Sequence, residues 1–339
     1  MVVLNKALLV LPVVILTYAY LLATIMIVEH TPLQRRFQEQ SDHPNHRRLR
    51  IDQFAPPNQH LSPLPRAPLS SADVALCLIV KDDIDLEEWL QYHVALGVGI
   101  IYVFDNNSTY PRLIPMLHPY IVSGHVVYRY LSEPLPPGTL QGMRSKQLYA
   151  YQQCLREFGK RHEFMGFIDS DEFIVVKSHS LTLLDILADY RGYGGLTLNW
   201  MMFGSSGHIS RPAGGVLSSY SHCRPDHHLK SIVNLRFVRG ISVDPHHFEY
   251  KDGYFAVDTN FTRVPGAHNP ALTSGVPSHL YEKIYLNHYF KKSKEDFLRK
   301  VQRGHADSSV PRSVHLIERI DAECSSTCEL LRMPDPVNR

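Results

Sequence analysis

Residues 74–80 form an unbroken apolar run, Val-Ala-Leu-Cys-Leu-Ile-Val. Such a run, with no polar alternation, is the pattern of a strand buried on both faces, as where helices cover a parallel sheet from each side. The following residues keep to that architecture. The pattern predicts a helix over Leu86–Leu96, with Asp85 as its N-cap and Gly97 as its stop. It then predicts a strand over Gly99–Phe104, a helix around Leu113–Tyr120 and a strand over His125–Tyr130. A helix over Ser145–Phe158 and a strand over Phe164–Ile168 follow. This alternation implies an α/β fold with a largely parallel, doubly wound sheet. In such sheets ligands sit beyond the carboxyl ends of the strands. Three strands end there in polar clusters: Lys81-Asp82-Asp83, Asp105-Asn106-Asn107 and Asp169-Ser170-Asp171. Their convergence suits a nucleotide. The chain has neither GxGxxG nor GxxxxGK[ST], so a dinucleotide fold and a P-loop find no support.

The third cluster carries the chemistry. Asp169-Ser170-Asp171-Glu172 stands between the apolar stretches Phe164–Ile168 and Phe173–Val176. Two acids one residue apart at a sheet edge can hold a divalent cation against a diphosphate, because carboxylate oxygens suit Mg²⁺ and Mn²⁺. They share a face only if the backbone between them stays near-extended. Asp and Ser are also ordinary turn residues, so the tetrad by itself leaves a turn open.

Ala7–Val28 is an uncharged apolar run long enough to span a bilayer, with no small-residue cleavage site behind it. It reads as a signal anchor after a cytosolic tail of residues 1–6. Residues 29–72 are rich in proline and polar side chains and read as an extended stem. Residues 73–339 are then a single lumenal domain. The arginines after the span would favour the cytosol under the positive-inside rule, but a large domain can translocate regardless of flanking charge. A net charge of +2 without a basic stripe argues against nucleic acid as a partner. The 5 cysteines show no zinc spacing. Cys77 and Cys154 read as buried thiols, and Cys324 with Cys328 as the candidate disulfide. Asn106, Asn107 and Asn260 each open an N-x-S/T sequon.

Seven blocks resemble glycosyltransferase family 92, in order, over about residues 74–304. They begin with Val80-Lys81-Asp82-Asp83, the stretch Leu86–His93 and Tyr102–Ser108. Gln147 with Ala150-Tyr151 and Cys154-Leu155, and then Phe167–Ile174, continue the match. Trp200 with Phe203–His208, Lys230–Val233, and His288-Tyr289 with Lys292-Ser293 and Phe297 complete it. One departure stands out: the family usually has Asn-Glu after the first Lys, where this chain has Asp82-Asp83.

The resemblance implies a GT-A fold, a divalent metal (usually Mn²⁺) and a UDP-sugar donor. Galactose transfer with inversion onto a glycan acceptor, in a Golgi type II membrane protein, goes with it. By that resemblance Asp169 and Asp171 are metal ligands, and the late His288 completes the shell. Asp105 and Asn106 lie at the uridine-ribose corner, and Lys81, Lys230 and Lys292 are candidates for the donor phosphates. Trp200 and His208 are candidates for acceptor sugar. The base that takes the acceptor proton is open, with Glu172 and His208 as candidates. His246-His247 reads as a loop, and as the next source of a metal ligand. A metal-dependent phosphoesterase and a non-catalytic glycan-binding relative are the alternatives.

Overall fold

The computed structural model describes residues 67–131, 145–178, 180–266, 278–303 and 316–335. The expected tail, the anchor and all but the end of the stem lie outside them. No helix among the described residues is long and apolar enough to cross a membrane.

After a 3-10 turn at Ser71–Asp73 the chain runs β1 (Val74–Val80), α1 (Leu86–Ala95), β2 (Ile100–Asp105), α2 (Leu113–Val122), β3 (Val126–Tyr130), α3 (Lys146–Phe158) and β4 (Phe164–Phe167). These are the elements expected from the pattern, within a residue or two. The second half adds β5 (Glu172–Val176), α4 (Leu183–Asp189), β6 (Gly195–Phe203) and β7 (His222–Asn234). The hairpin β8 (Val238–Ile241) and β9 (Phe248–Tyr250) and the short β10 (Ala256–Val257) come next. A 3-10 turn at Ser278–Tyr281 leads to β11 (Ile284–His288), α5 (Lys294–Arg303), α6 (Leu316–Glu323) and β12 (Ser326–Thr327).

The main sheet has the order β3-β2-β1-β4-β7-β6-β11-β5, with β10 beside β6 and β12 beside β7. β1 to β4 are parallel. β7 is antiparallel to β4 and to β6, β11 runs parallel with β6, and β5 is antiparallel to β11. The sheet is therefore parallel in its first half and mixed in its second. Alternate residues of β1 feed two cores, as a strand covered on both sides must. Leu76, Leu78 and Val80 pack with Trp89 and Leu90 of α1, while Ala75, Cys77 and Ile79 pack with Tyr151 and Phe158 of α3.

Two disulfides staple this arrangement, and they are not the expected pair. Cys77 of β1 is joined to Cys154 of α3, and Cys223 of β7 to Cys328 just after β12. Cys324, expected as the partner of Cys328, is a buried free thiol. Adjacency in sequence misled here, because β12 lies antiparallel on the start of β7 and carries Cys328 to Cys223.

β5 is an edge strand, and side chains of α1 cover its exposed backbone, a common way of blunting an edge. Trp89 Nε1 donates to the Glu172 carbonyl at 2.6 Å, and Tyr92 Oη to the Ile174 carbonyl at 2.7 Å. His93 bridges the two elements from within the core. Its Nδ1 lies 2.9 Å from the Trp89 carbonyl, and its Nε2 accepts from Ile174 N at 3.4 Å. Burial drives the His93 imidazole pKa down to about 3, against a smaller opposing pull from the Trp89 carbonyl.

Two predictions follow from these contacts. Peptide mapping without reductant should recover Cys77–Cys154 and Cys223–Cys328, leaving one thiol per chain to alkylate after unfolding. Closing loops of 77 and 105 residues, either bridge should contribute about 2–5 kcal/mol, lost in Cys154→Ser or Cys328→Ser. The lowered His93 pKa acts separately. The unfolded chain takes up a proton near pH 6.5 that the folded chain refuses until about pH 3. Stability should therefore fall as pH drops through that window, by up to roughly 5 kcal/mol. His93→Gln should flatten the decline in urea melts; an unchanged slope would rule His93 out as its source.

Candidate functional site

The acids meet at a turn. β4 runs into the core through Ile168, and the chain reverses at Ser170-Asp171. Glu172 N donates to the Asp169 carbonyl at 3.0 Å, while Asp169 N donates to Glu172 Oε2 at 2.8 Å. Asp169 and Asp171 thus come together by the closed turn rather than by extended backbone. Two neighbours brace it. Ser170 Oγ hydrogen-bonds the Asp83 carboxylate from the end of β1, and Tyr289 N donates to the Asp171 carbonyl at 2.8 Å. β11 ends with His288 paired between Glu172 of β5 and Met202 of β6, which sets the imidazole beside Asp171.

Each carboxylate of the pair has a cation. Asp169 Oδ2 accepts from Lys230 Nζ at 3.0 Å, and its Oδ1 accepts from Gln147 Nε2 at 2.7 Å. Asp171 Oδ2 is held by Lys300 Nζ, and Oδ1 lies 3.5 Å from His288 Nε2. Burial alone would raise both carboxyl pKa values. Lys230 outweighs it at Asp169, and Lys300 with His288 outweighs it at Asp171, so both stay ionised. Glu172 behaves oppositely. It is 0 % exposed, its Oε1 has no hydrogen-bond partner among the described residues, and burial holds its carboxyl well above the usual range despite Lys230.

The pair opens onto a cavity of about 580 Å³ lined by the loop after β1, Gln147, Trp200, His288 and the basic segment from Lys291 into α5. Lys81, Lys292, Arg299, Lys300 and Arg303 all reach it. Lys292 has a φ of 57°, and its ammonium is held by Asp85, which also takes Arg211. Asp85 heads α1 as expected, but its side chain makes no capping bond there. In the first block Asp82 has a φ of 49°, in the left-handed region that Asp and Asn tolerate best. Its Oδ1 accepts from Thr109 N and Tyr110 N at 2.6 and 2.8 Å, a geometry an Asn carbonyl would equally serve.

The other expected residues fall in different places. Lys81, Lys292, Trp200 and His288 line the cavity with the acids. Lys230 is neither a surface lysine nor a cavity one: it is 1 % exposed and points under the acid turn. Asp105 and Asn106 are buried outside the cavity lining, with Asp105 taken by Ser108 N and Tyr128 Oη and Asn106 Oδ1 by Lys146 Nζ. Glu172 lies beneath the turn rather than beside the acids in the cavity. His208 also stands outside the lining, its Nε2 2.9 Å from the Ser219 carbonyl. His246 packs on the edge of Trp200 and is bound to the Leu229 carbonyl, and burial, with Lys230 nearby, lowers its pKa to about 4. The basic face of α5 was missed. Its signal is Arg299, Lys300 and Arg303 recurring at roughly helical spacing after the expected Lys292.

Two carboxylates and an imidazole around one opening are a donor set that suits Mn²⁺ or another hard divalent cation. A tighter convergence of potential ligand atoms occurs at Asp226, His227 and His228, within 4.8 Å of one another. There Asp226 Oδ2 already takes Arg224 Nη1 at 2.7 Å and Oδ1 takes His228 Nδ1 at 2.5 Å, so its charge is satisfied by the protein.

A family model described as glycosyltransferase family 92 matches residues 75–310. A family 92 protein of Oryza sativa subsp. japonica is 33% identical over 175 residues, covering 50% of this chain and 28% of that one. Another, of Ricinus communis, is 31% identical over 183 residues, with 50% and 30% covered. The chain spans less than a third of the length of these relatives. Among solved structures, a mannosyltransferase from Pyrobaculum calidifontis in complex with GDP-Man and Mn²⁺ is similar with a TM-score of 0.26 and 16% identity, covering 40% of this chain and 38% of that one. A likeness at that level carries no argument for this chain.

Lys230 gives the site its sharpest stability test. Replacing it with Met leaves Asp169 and Glu172 without their buried cation, a loss of about 3–5 kcal/mol. Without Lys230 burial also raises the Asp169 carboxyl in the folded chain, as it already raises that of Glu172. A raised carboxyl pKa stabilises below the unfolded value and loses that stability as pH rises. Denaturant melts of Lys230→Met should therefore show a larger deficit at pH 8 than at pH 5; a deficit under 1 kcal/mol at both would discount the buried pair.

Proposed function

Since the chain belongs to glycosyltransferase family 92, we propose that it transfers a sugar from a UDP-sugar to a glycan acceptor with the help of a divalent cation. The observation that carries this reading is the ionised pair Asp169 and Asp171 facing a cavity walled by Lys81, Lys292 and the basic face of α5. A nucleoside diphosphate is the kind of ligand that needs both features. The acids, with His288, would hold Mn²⁺, and the wall would take the phosphate oxygens. When bound, the cation neutralises the departing diphosphate.

The residues divide the remaining work. Gln147 and Lys230 fix the Asp169 carboxylate from opposite oxygens, so it enters the reaction already oriented. Trp200, whose ring meets that of His288 edge to face with centroids 4.2 Å apart, offers an aromatic surface in the cavity where a sugar ring would pack. Lys292, pinned by Asp85, keeps a fixed positive charge at the same opening. Galactose from UDP-galactose, transferred with inversion, is our reading of the donor and stereochemistry. A GT-A fold and a type II Golgi membrane protein with a lumenal domain complete it. The apolar run Ala7–Val28 and two disulfides, which persist in oxidising compartments, support that placement.

The test is release of UDP from a panel of UDP-sugars, with Mn²⁺ and mixed glycan acceptors, using the full chain. Turnover should vanish with EDTA and return with Mn²⁺. Asp171→Asn should lower it on the order of 10³-fold while the melting temperature holds; Asp169→Asn should lower it similarly but also cost stability, because it strips the buried Lys230 of its partner. His288→Ala should weaken Mn²⁺ by about 10–100-fold, partly restored by excess metal. Release of phosphate instead of UDP would favour the phosphoesterase alternative, and UDP-sugar binding without turnover would favour a non-catalytic relative.

A further inference from the structure

The two lysines on the acid pair differ in kind. Lys230 rises from the middle of β7, is 1 % exposed and lies near Glu172 as well as Asp169, so it belongs to the core. Lys300 comes from α5, on the cavity wall, with its side chain 16 % exposed. Its ammonium touches Asp171 Oδ2, donates to the Phe290 carbonyl at 2.9 Å and lies 4.5 Å from the Phe290 ring centroid. The other cavity lysines nearby are held away from the pair: Lys292 on Asp85, and Lys291 on Asp321. Lys300 is therefore the lysine that meets both a proposed cation ligand and the space where a diphosphate would lie.

We propose that Lys300 is an exchangeable counter-ion, holding Asp171 until a divalent cation takes that carboxylate and then swinging to the diphosphate of the nucleotide. This rests on the proposed function above. A metal ion arriving alone must displace an ammonium from a partly buried carboxylate and leaves that ammonium without an equal anion. A metal ion arriving with a nucleotide supplies one, because the diphosphate oxygens are the stronger acceptors. The lysine thereby penalises the metal-only state and links the two ligands. Such linkage is reciprocal, with each ligand tightening the other by the same factor, typically between 5- and 150-fold. The Phe290 ring and carbonyl give the ammonium a pivot on which its flexible stem can turn.

The test is Mn²⁺ binding to the full chain, read from the electron paramagnetic resonance signal of the free aquo ion, with and without UDP. In the unmodified protein UDP should tighten Mn²⁺ by at least about tenfold. Lys300→Met removes the charge at nearly constant length. It should bind Mn²⁺ alone about tenfold more tightly than the unmodified protein, and the enhancement by UDP should then be about tenfold smaller than in the unmodified protein. Lys300→Arg, which keeps the charge, should preserve the coupling. Direct ligation of the metal by UDP contributes equally to all three proteins, so the difference between them isolates Lys300. If Lys300→Met binds Mn²⁺ no more tightly and keeps the full UDP enhancement, the exchange is wrong while the metal site stands. If the unmodified protein shows no effect of UDP on Mn²⁺, the exchange is wrong whether or not either variant folds. If it binds Mn²⁺ neither alone nor with UDP, the proposed function fails with it.

Discussion

Lys230 holds the site together from below. A fully buried ammonium is costly unless it is paired, and a turn carrying three acids in four residues would repel itself open without a cation. Each solves the other's problem. Lys230 reaches Asp169 at 3.0 Å and Glu172 at 3.8 Å, and its own pKa rises because those two carboxylates outweigh the burial. Glu172 in turn binds Asp169 N, which closes the turn and aims Asp169 and Asp171 outward. The third acid of the tetrad thus works as scaffold. Glu172 does not line the cavity, so it is out of reach of a hydroxyl bound there.

Around that core the charges alternate outward. Asp83 braces the turn through Ser170, Asp85 holds Lys292 and Arg211, and Arg211 reaches Asp296 at 3.0 Å. Burial would protonate Asp85, but Lys292 and Arg211 overcome it and keep it charged. The loop after β1, the loop after β6 and the start of α5 are therefore locked to one another by ion pairs at the mouth of the cavity. Removing any one member leaves a neighbour's charge uncompensated, so these groups are coupled rather than additive.

The parallel half of the sheet was legible because its signals are local. Val74–Val80 and Phe164–Ile168 are apolar enough to declare two buried faces, and the helices between them carry their own periodicity. The acids were legible for the same reason. What local pattern could not convey is where β5 goes next. After the four-residue acid turn the chain enters β5, which pairs not with β4 but with β11 at the end of the strand order, and that pairing brings His288 to Asp171. The resemblance offered Lys230 for the donor phosphates, and a lone lysine among apolar residues gives no sign of its burial until its partners, some 60 residues away, are placed. Asp105 and Asn106 looked like ligand groups because a strand ending in Asp-Asn-Asn resembles a binding loop. In the fold they bond Ser108, Tyr128 and Lys146 and hold that loop themselves.

The segment from α6 through Cys328 adds a constraint that the family match does not contain, since that match ends at residue 310. Asp321 of α6 accepts from Ser205 N at 2.7 Å and Ser205 Oγ at 2.8 Å, and it also takes the ammonium of Lys291. Lys291 lines the cavity although only 1 % of it is exposed. A single carboxylate therefore ties the turn after β6 to the basic segment before α5. The Cys223–Cys328 bridge and the Cys328 N to Ser221 carbonyl bond, at 2.7 Å, fix the strap that carries it. Arg224 completes the attachment by pairing with Glu323 of α6 at 3.1 Å and with Asp226 of β7 at 2.7 Å. The strap contributes no group to the acid pair itself. It restrains the residues on the far wall, so the spacing between the acids and the basic face is set partly by residues outside the family core.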